Sequence, residues 1–516
     1  MKKLTLIAFL GLFLSQSTFS QDTPDEKINK LIRKHGMEQS QVMETAFYLT
    51  DVYGPRVTGS PMLDKATKWA QDQLTTWGLQ NVHTEAWGPF GRGWDLQHFE
   101  LHALEPSYFP ILGYPKVWSP STKGILTGEV VYFKANTIEE LAQYKGKLSG
   151  KFILLDTIRV VKPGFESSAK RFADSSLLEL ANAPKPTPRT LRTFGFGDSE
   201  FSKAMKKMMY EEKPLATIDR SFKGDDGTVF ISGAQAKEGS ARDEGVEVLP
   251  QVTISVEQYN RIFRLSQKGL PVKLSLNIKA NYTNPDKMEH NVIAEIPGKD
   301  LKDEVVMFGA HLDSWQSATG ATDNAAGSAV MMEAARILTE MIKESGVQPR
   351  RTLRLALWTG EEQGLLGSMG YVGQHFADLK GRTVQSVKPE QTKISAYYNL
   401  DNGTGKIRGV YLQDNEAVRP IFRSWLDPFK DLQASTISIS NTGGTDHQSF
   451  DAAGIPAFQF IQDPIEYSTR THHSNMDTWD HLIESDLKQA ATIIASFVWH
   501  TAQREELLPR KVLKLD

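Results

Sequence analysis

Gly309-Ala310-His311-Leu312-Asp313-Ser314-Trp315 follows directly on the apolar run Val305-Val306-Met307-Phe308, and Thr322-Asp323-Asn324-Ala325-Ala326-Gly327 comes soon after. The spacing sets a histidine at the end of a strand and an aspartate at the mouth of a helix, one step of a layered α/β domain. Further along, Glu361 and Glu362 lie in Trp358-Thr359-Gly360-Glu361-Glu362-Gln363-Gly364. Asp401 ends Ala396-Tyr397-Tyr398-Asn399-Leu400-Asp401, and His473 lies in Thr471-His472-His473-Ser474-Asn475-Met476-Asp477-Thr478. Imidazole and carboxylate are ligands that zinc accepts. Together these residues make a shell for two metal ions, an arrangement that activates water and clamps reacting oxygens.

The same alternation of strand and helix runs from Glu289 onward. Strands are expected at Val292–Ile296, Glu304–Phe308, Thr352–Leu357, Ile394–Asn399, Gly409–Leu412 and Ala457–Ile461. Helices are expected at Asn324–Glu344, Gly364–Tyr371, Ala417–Leu426 and Leu482–Gln503. The metal-site residues then fall at strand ends or in the loops that follow, where open α/β sheets place their sites. Upstream, Gly54-Pro55-Arg56-Val57-Thr58-Gly59-Ser60-Pro61 reads as a turn into a helix. Ser60 suits the cap, Pro61 the first helical position, and Gly78 the stop.

Between about residues 120 and 281 the texture changes to short β-like runs. These are Glu129–Phe133, Lys151–Leu155, Thr228–Ile231 and Gln251–Ile254, and no metal-site residue lies among them.

The chain has 516 residues, enough for two or three domains. A formal net charge of −3 gives no basic field for nucleic acid. The absence of cysteine excludes disulfides, zinc-thiolate sites and a thiol nucleophile. Lys2-Lys3 followed by the apolar stretch Leu4 to Leu14 reads as an export signal, too short to span a bilayer. A periplasmic or secreted protein is expected, with no membrane span after signal removal. The partners expected are a peptide substrate and no nucleic acid, with a homodimer allowed.

These motifs resemble the co-catalytic di-zinc exopeptidases, which include bacterial aminopeptidases and glutamate carboxypeptidases, and run closest to the plasma glutamate carboxypeptidase branch. Besides the stretches quoted above, Arg351-Thr352-Leu353-Arg354-Leu355-Ala356-Leu357 and the tail Glu506-Leu507-Leu508-Pro509-Arg510 carry the likeness. It implies a three-layer α/β zinc-exopeptidase domain with a central mixed twisted sheet, plus an inserted β-rich protease-associated module. The division expected is a signal peptide over 1–20, the N-terminal part of the catalytic domain over 21–119 with room for a pro-segment, the inserted module over 120–281, and the main catalytic part over 282–516.

The resemblance also implies roles and two zinc ions per chain. Asp323 bridges both ions, His311 and Asp401 complete one, and Glu362 and His473 complete the other. Glu361 is the general base, and Asp313 holds the second nitrogen of His311. His472, His447, Tyr467 and Arg470 are candidates for the oxyanion or the substrate. The reaction implied is zinc-dependent hydrolysis of dipeptides or short peptides, with a broad aminopeptidase as the alternative. A one-zinc glutaminyl cyclase would do without His311 and Asp401, and a non-catalytic receptor-like ectodomain would lose ligands or the base. All of these residues are in place.

Overall fold

The computed structural model describes residues 22–186, 199–283, 286 and 288–513. The expected export signal lies outside them. The larger of two principal sheets runs, in spatial order, through Gln80–Trp87, Glu289–Ile296, Arg351–Trp358, Leu301–His311, Ile394–Asn399, Ala457–Gln462, Ile407–Tyr411 and Thr436–Ser438. Its four central strands, Arg351–Trp358 to Ala457–Gln462, are mutually parallel, and the flanking pairings include antiparallel ones.

Period-2 alternation divides each central strand between two helix layers. Val306, Phe308 and Ala310 pack into a core with the helices Ala326–Ser345 and Glu484–Gln503. Val305 and Met307 face the other way, toward Tyr371, Phe376 and Phe450. Helix, sheet and helix make the three layers that the alternation predicts.

The boundaries moved little where apolar periodicity was strong. Ile394–Asn399 forms as expected, and the helix Pro61–Trp77 begins with Ser60 accepting from the Leu63 N–H and ends at left-handed Gly78. The helix expected from Asn324 starts at Ala326 instead. Asp323 and Asn324 have non-helical backbone angles because the Thr322 and Asp323 N–H groups donate to the Asp477 carboxylate. Asp323 therefore does not cap the helix, and its carboxylate is left for the site.

The second sheet orders Phe109–Pro110, Gly93–Glu105, Lys273–Thr283, Leu126–Tyr132, Phe152–Leu154, Ala216–Arg220, Gln251–Ile254 and Gly113–Pro115. It thus takes in strands before residue 120, because Gly93–Glu105 pairs along its length with Lys273–Thr283. Helices Glu200–Glu212 and Val256–Gln267 lie between or beside its strands. Thr228–Ile231, expected as a strand, forms only an isolated bridge between Phe230 and Ser474. Its N–H groups go elsewhere. Val229 donates to the Asn475 side chain at 2.7 Å, Phe230 to the Ser221 hydroxyl at 2.8 Å, and Ile231 to the His473 carbonyl at 3.0 Å. Apolar content made it look like a strand, but its role is to brace the His473 loop.

Candidate metal centre

Parallel neighbours end on the same edge of a sheet, and this brings distant residues together. His311 is the last residue of its strand and stands opposite Trp358, while Gly309 stands opposite Asn399. Glu361 and Glu362 therefore follow one neighbouring strand, and Asp401 follows the other, within reach of His311. Gly327 lets the first turn of the next helix close on this edge, since a Cβ there would lie 2.3 Å from the Leu400 carbonyl oxygen.

The donors converge in two groups that share Asp323. His311 Nε2 lies 3.4 Å from Asp323 Oδ1 and 3.5 Å from Asp401 Oδ1. His473 Nε2 lies 3.2 Å from Asp323 Oδ2 and 2.8 Å from Glu362 Oε2. Glu361 Oε2 is 4.0 Å from His311 Nε2, and His472 Nε2 is 3.7 Å from Asp323 Oδ2. The sets His311, Glu361, Asp401 and His311, Asp323, Glu362, with Asp323, His472, His473, each bring ligand atoms close enough to share an ion.

The fit to cations can be tested on unpaired atoms. His311 Nε2, Asp323 Oδ2 and Glu362 Oε1 are buried and make no hydrogen bond. An uncompensated buried polar atom is costly, and a buried charge more so. Divalent cations held among these donors satisfy all three atoms, so the residues fit.

The electrostatics carry the same strain. Burial raises the Glu361 carboxyl well above the ordinary range, and burial together with Asp323 raises Glu362 to about 7. For His473, burial opposes the charged form, but Glu362 and Asp323 outweigh it and hold the imidazole raised. Burial leaves His472 lowered to about 4, hence neutral. Sequence reasoning missed Asp446, a fully buried carboxyl near this cluster that burial raises to about 7. Its signal was masked by the adjacent His447.

Asp313 meets the second nitrogen of His311 with its backbone carbonyl. His311 Nδ1 is within hydrogen-bond distance, 3.0 Å, of the Asp313 carbonyl oxygen, and the Asp313 carboxylate is 3.6 Å away. That carboxylate instead accepts from Thr58 Oγ at 2.9 Å and from the Glu361 and Glu362 N–H groups at 3.2 and 3.3 Å.

The centre opens into a cavity of about 540 Å³. Asp323, Glu361, Glu362, Asp401, Tyr467, His472 and His473 line it. The Tyr467 hydroxyl donates to Asp401 Oδ1 at 3.3 Å. Two expected substrate contacts are not on the wall. His447 is fully buried behind it, with Nε2 3.1 Å from both Gln413 Nε2 and the Thr442 carbonyl oxygen. Arg470 is turned toward Glu466, 3.8 Å away, because its backbone sits in the tight turn Tyr467–Thr471. Arg382 lines the cavity instead, and no motif flagged it.

Residues 291–498 match the model of Peptidase family M28. Carboxypeptidase Q of Pongo abelii is 27% identical over 489 residues, 92% of this chain and 88% of the relative. The crystal structure of a peptidase M28 precursor from Shewanella amazonensis superposes with a TM-score of 0.66 at 24% identity, covering 94% of this chain and 98% of that one. A zinc aminopeptidase from Bacillus subtilis superposes with a TM-score of 0.53 at 20% identity, covering 92% and 98%. The strand edge that gathers His311, Asp323, Glu362, Asp401 and His473 lies wholly inside residues 291–498, the part of this chain that is similar to Peptidase family M28.

Proposed function

We propose that the chain is a two-zinc exopeptidase that hydrolyses dipeptides or short peptides. One observation carries this reading: Asp323 turns Oδ1 to His311 and Oδ2 to His473, so a single carboxylate serves two donor groups. In this reading His311 and Asp401 share one ion with Asp323, and Glu362 and His473 share the other. His473 is favoured over His472 by its shorter approach to Asp323 and its contact with Glu362. The donor chemistry supports zinc, as does the naming of the Bacillus subtilis relative as a zinc aminopeptidase. When bound, the ions supply Lewis acidity that eases deprotonation of water and polarises a carbonyl.

The chain's own residues do the rest. Glu361, whose carboxylate stands 4.0 Å from His311 Nε2, accepts a proton from the attacking water and returns it to the leaving amine. Asp313 holds Glu361 in place through its backbone. Tyr467 orients the Asp401 carboxylate. Neutral His472 presents an N–H toward the cavity for developing negative charge on the carbonyl oxygen. The segment Thr228–Ile231 braces the His473 loop from the other side.

Export follows the reading of residues 1–20, and among the described residues no helix is long and apolar enough to cross a membrane. The test is metal analysis of purified protein alongside a screen of dipeptides free, acylated or amidated. Two ions per chain and cleavage of free dipeptides are expected. One tightly bound ion, with His311→Ala leaving metal content and activity intact, overturns the two-ion centre. Undiminished cleavage of amidated peptides with none of acylated ones makes the enzyme a broad aminopeptidase.

A further inference from the structure

Arg382 sits in the turn of a two-stranded hairpin, Ala377–Lys380 with Thr383–Val387, which forms its own small sheet apart from the two large ones. The hairpin follows the helix Leu366–His375, which itself follows the Glu361–Gly364 turn. It carries Arg382 back over that turn. Arg382 Nη2 donates to the Gly364 carbonyl oxygen at 2.9 Å. The approach is close enough that a Cβ at position 364 would lie 2.5 Å from Nη2, and Gly364 also has a φ of +117°. Glycine at 364 is thus what admits the guanidinium.

A guanidinium has five N–H donors in a planar fork. The bond to Gly364 uses one, and among the described residues no carboxylate pairs with Arg382. The cavity wall carries the carboxylates of Asp323, Glu361, Glu362 and Asp401, and among the described residues Arg382 is its one arginine or lysine. Asp323 and Glu362 are engaged with His473, and Asp401 with His311 and Tyr467. A lone arginine at the edge of a peptidase cavity, tethered by one bond and with the rest of its fork open, matches a carboxylate, which it grips with two parallel hydrogen bonds.

We propose that Arg382 is the specificity residue that reads the C-terminal carboxylate of a short peptide, so that the hairpin sets substrate length. The inference rests on the exopeptidase reading of the same centre. A short peptide then lies with its scissile carbonyl at the histidine and carboxylate cluster and its free carboxylate at the hairpin. A longer chain overruns Arg382 and loses the contact. The ligand chemistry is a carboxylate, which an acidic side chain also offers, and the experiment separates the two.

Wild type, Arg382→Ala and Arg382→Lys are compared on Ala-Ala, Ala-Ala amide and Ala-Glu amide, with metal content and melting temperature measured on each. In wild type the free dipeptide is expected to lead. Arg382→Ala is expected to raise KM for Ala-Ala by about ten- to a hundredfold, the scale of a charge-assisted hydrogen bond. The amide should be left near its wild-type value and zinc content unchanged. Arg382→Lys should recover part of the loss, since it keeps the charge without the fork. A loss confined to Ala-Glu amide assigns Arg382 to an acidic side chain and overturns the terminal-carboxylate claim. Equal losses on all three peptides, or none, overturn the assignment while leaving the exopeptidase intact. Failure of wild type to cleave any of the three overturns the exopeptidase reading, and this inference with it.

Discussion

The carboxylate of Asp313 accepts a hydrogen bond from the backbone N–H of Glu361 at 3.2 Å, with its other oxygen accepting from Glu362 and from Thr58. One residue thereby fixes His311 through its carbonyl and both glutamates through its side chain. Asp313→Asn would turn an amide donor toward a backbone N–H, and Asp313→Ala would leave both N–H groups without an acceptor. Each substitution should lower activity and metal affinity by about ten- to a hundredfold, the usual effect of disturbing the groups that orient metal ligands. Zinc titration and turnover measured together check this. Full activity in Asp313→Asn would show that the loop holds itself.

The two adjacent glutamates should separate cleanly. Glu362 contacts His473 at 2.8 Å, whereas Glu361 stands 4.0 Å from the nearest histidine nitrogen. Glu361→Gln should keep the metal and the fold but lose at least about a hundredfold in turnover. Glu362→Gln should weaken metal binding first. Chelation of wild-type protein should abolish activity and lower its melting temperature, because bound ligand stabilises the folded state by mass action. The opposite pattern in the two variants would exchange the proposed roles.

What was legible in the sequence follows from what is local. The strands that end at His311 or just before Glu361 and Asp401 were readable because each is a largely apolar run followed by polar residues. Order along the chain and parallel pairing then forced their ends together. The edge strand Gln80–Trp87, half-exposed and polar, gave no such run. Thr228–Ile231 was misread because its hydrogen bonds go to side chains and a loop 200-odd residues away, which no local pattern records. Arg470 is a candidate by its nearness in sequence to His473, and Arg382 has no such signal, yet a hairpin reversal, not sequence distance, brings the Arg382 guanidinium to the cavity.

Arg56 is fully buried, and its guanidinium donates to the carbonyl oxygens of Leu312 at 2.6 Å, Thr319 at 2.9 Å and Gly320 at 2.9 Å, and also to that of Leu49. Burial lowers its pKa to about 10, still far above neutrality. The residue ties the N-terminal turns to the loop between His311 and Asp323. Arg56→Ala should cost roughly 3 kcal/mol or more in unfolding free energy, since several buried acceptors lose a charged donor. Arg56→Lys should recover little because an ammonium cannot reproduce the fork. Denaturant melts of the three proteins check this. A loss below about 1 kcal/mol would mean that water replaces the donors.

Asn475 links the segment Thr228–Ile231 to the metal centre. Its side-chain oxygen accepts from the Val229 N–H at 2.7 Å, its N–H donates to the Val229 carbonyl at 3.1 Å, and His473 two residues earlier has a left-handed φ of +60°. Asn475→Ala removes the bond that aligns Val229 with the loop, so His473 should be held less well. Zinc affinity should fall while the main fold stays intact, with unchanged circular dichroism. Unaltered affinity would leave the Ile231 to His473 bond as sufficient bracing.

His447 supplies a pH dependence. Burial lowers its pKa to about 4 from an ordinary 6.5, and Nε2 sits between Gln413 and Thr442. The folded state therefore refuses a proton that the unfolded chain accepts below pH 6.5. Stability linked to His447 is complete above that value and is lost as pH falls toward 4. From neutrality to pH 4.5 the loss amounts to roughly 2–3 kcal/mol. His447→Gln keeps a group able to donate and accept in the same place but removes the titration. Other buried groups titrate alike in both proteins, so the difference between their unfolding free energies at the two pH values isolates this residue. The variant should lose less stability on acidification than the wild type by about that amount. Parallel losses in both proteins would mean that the imidazole is protonated in the folded state and finds an acceptor there.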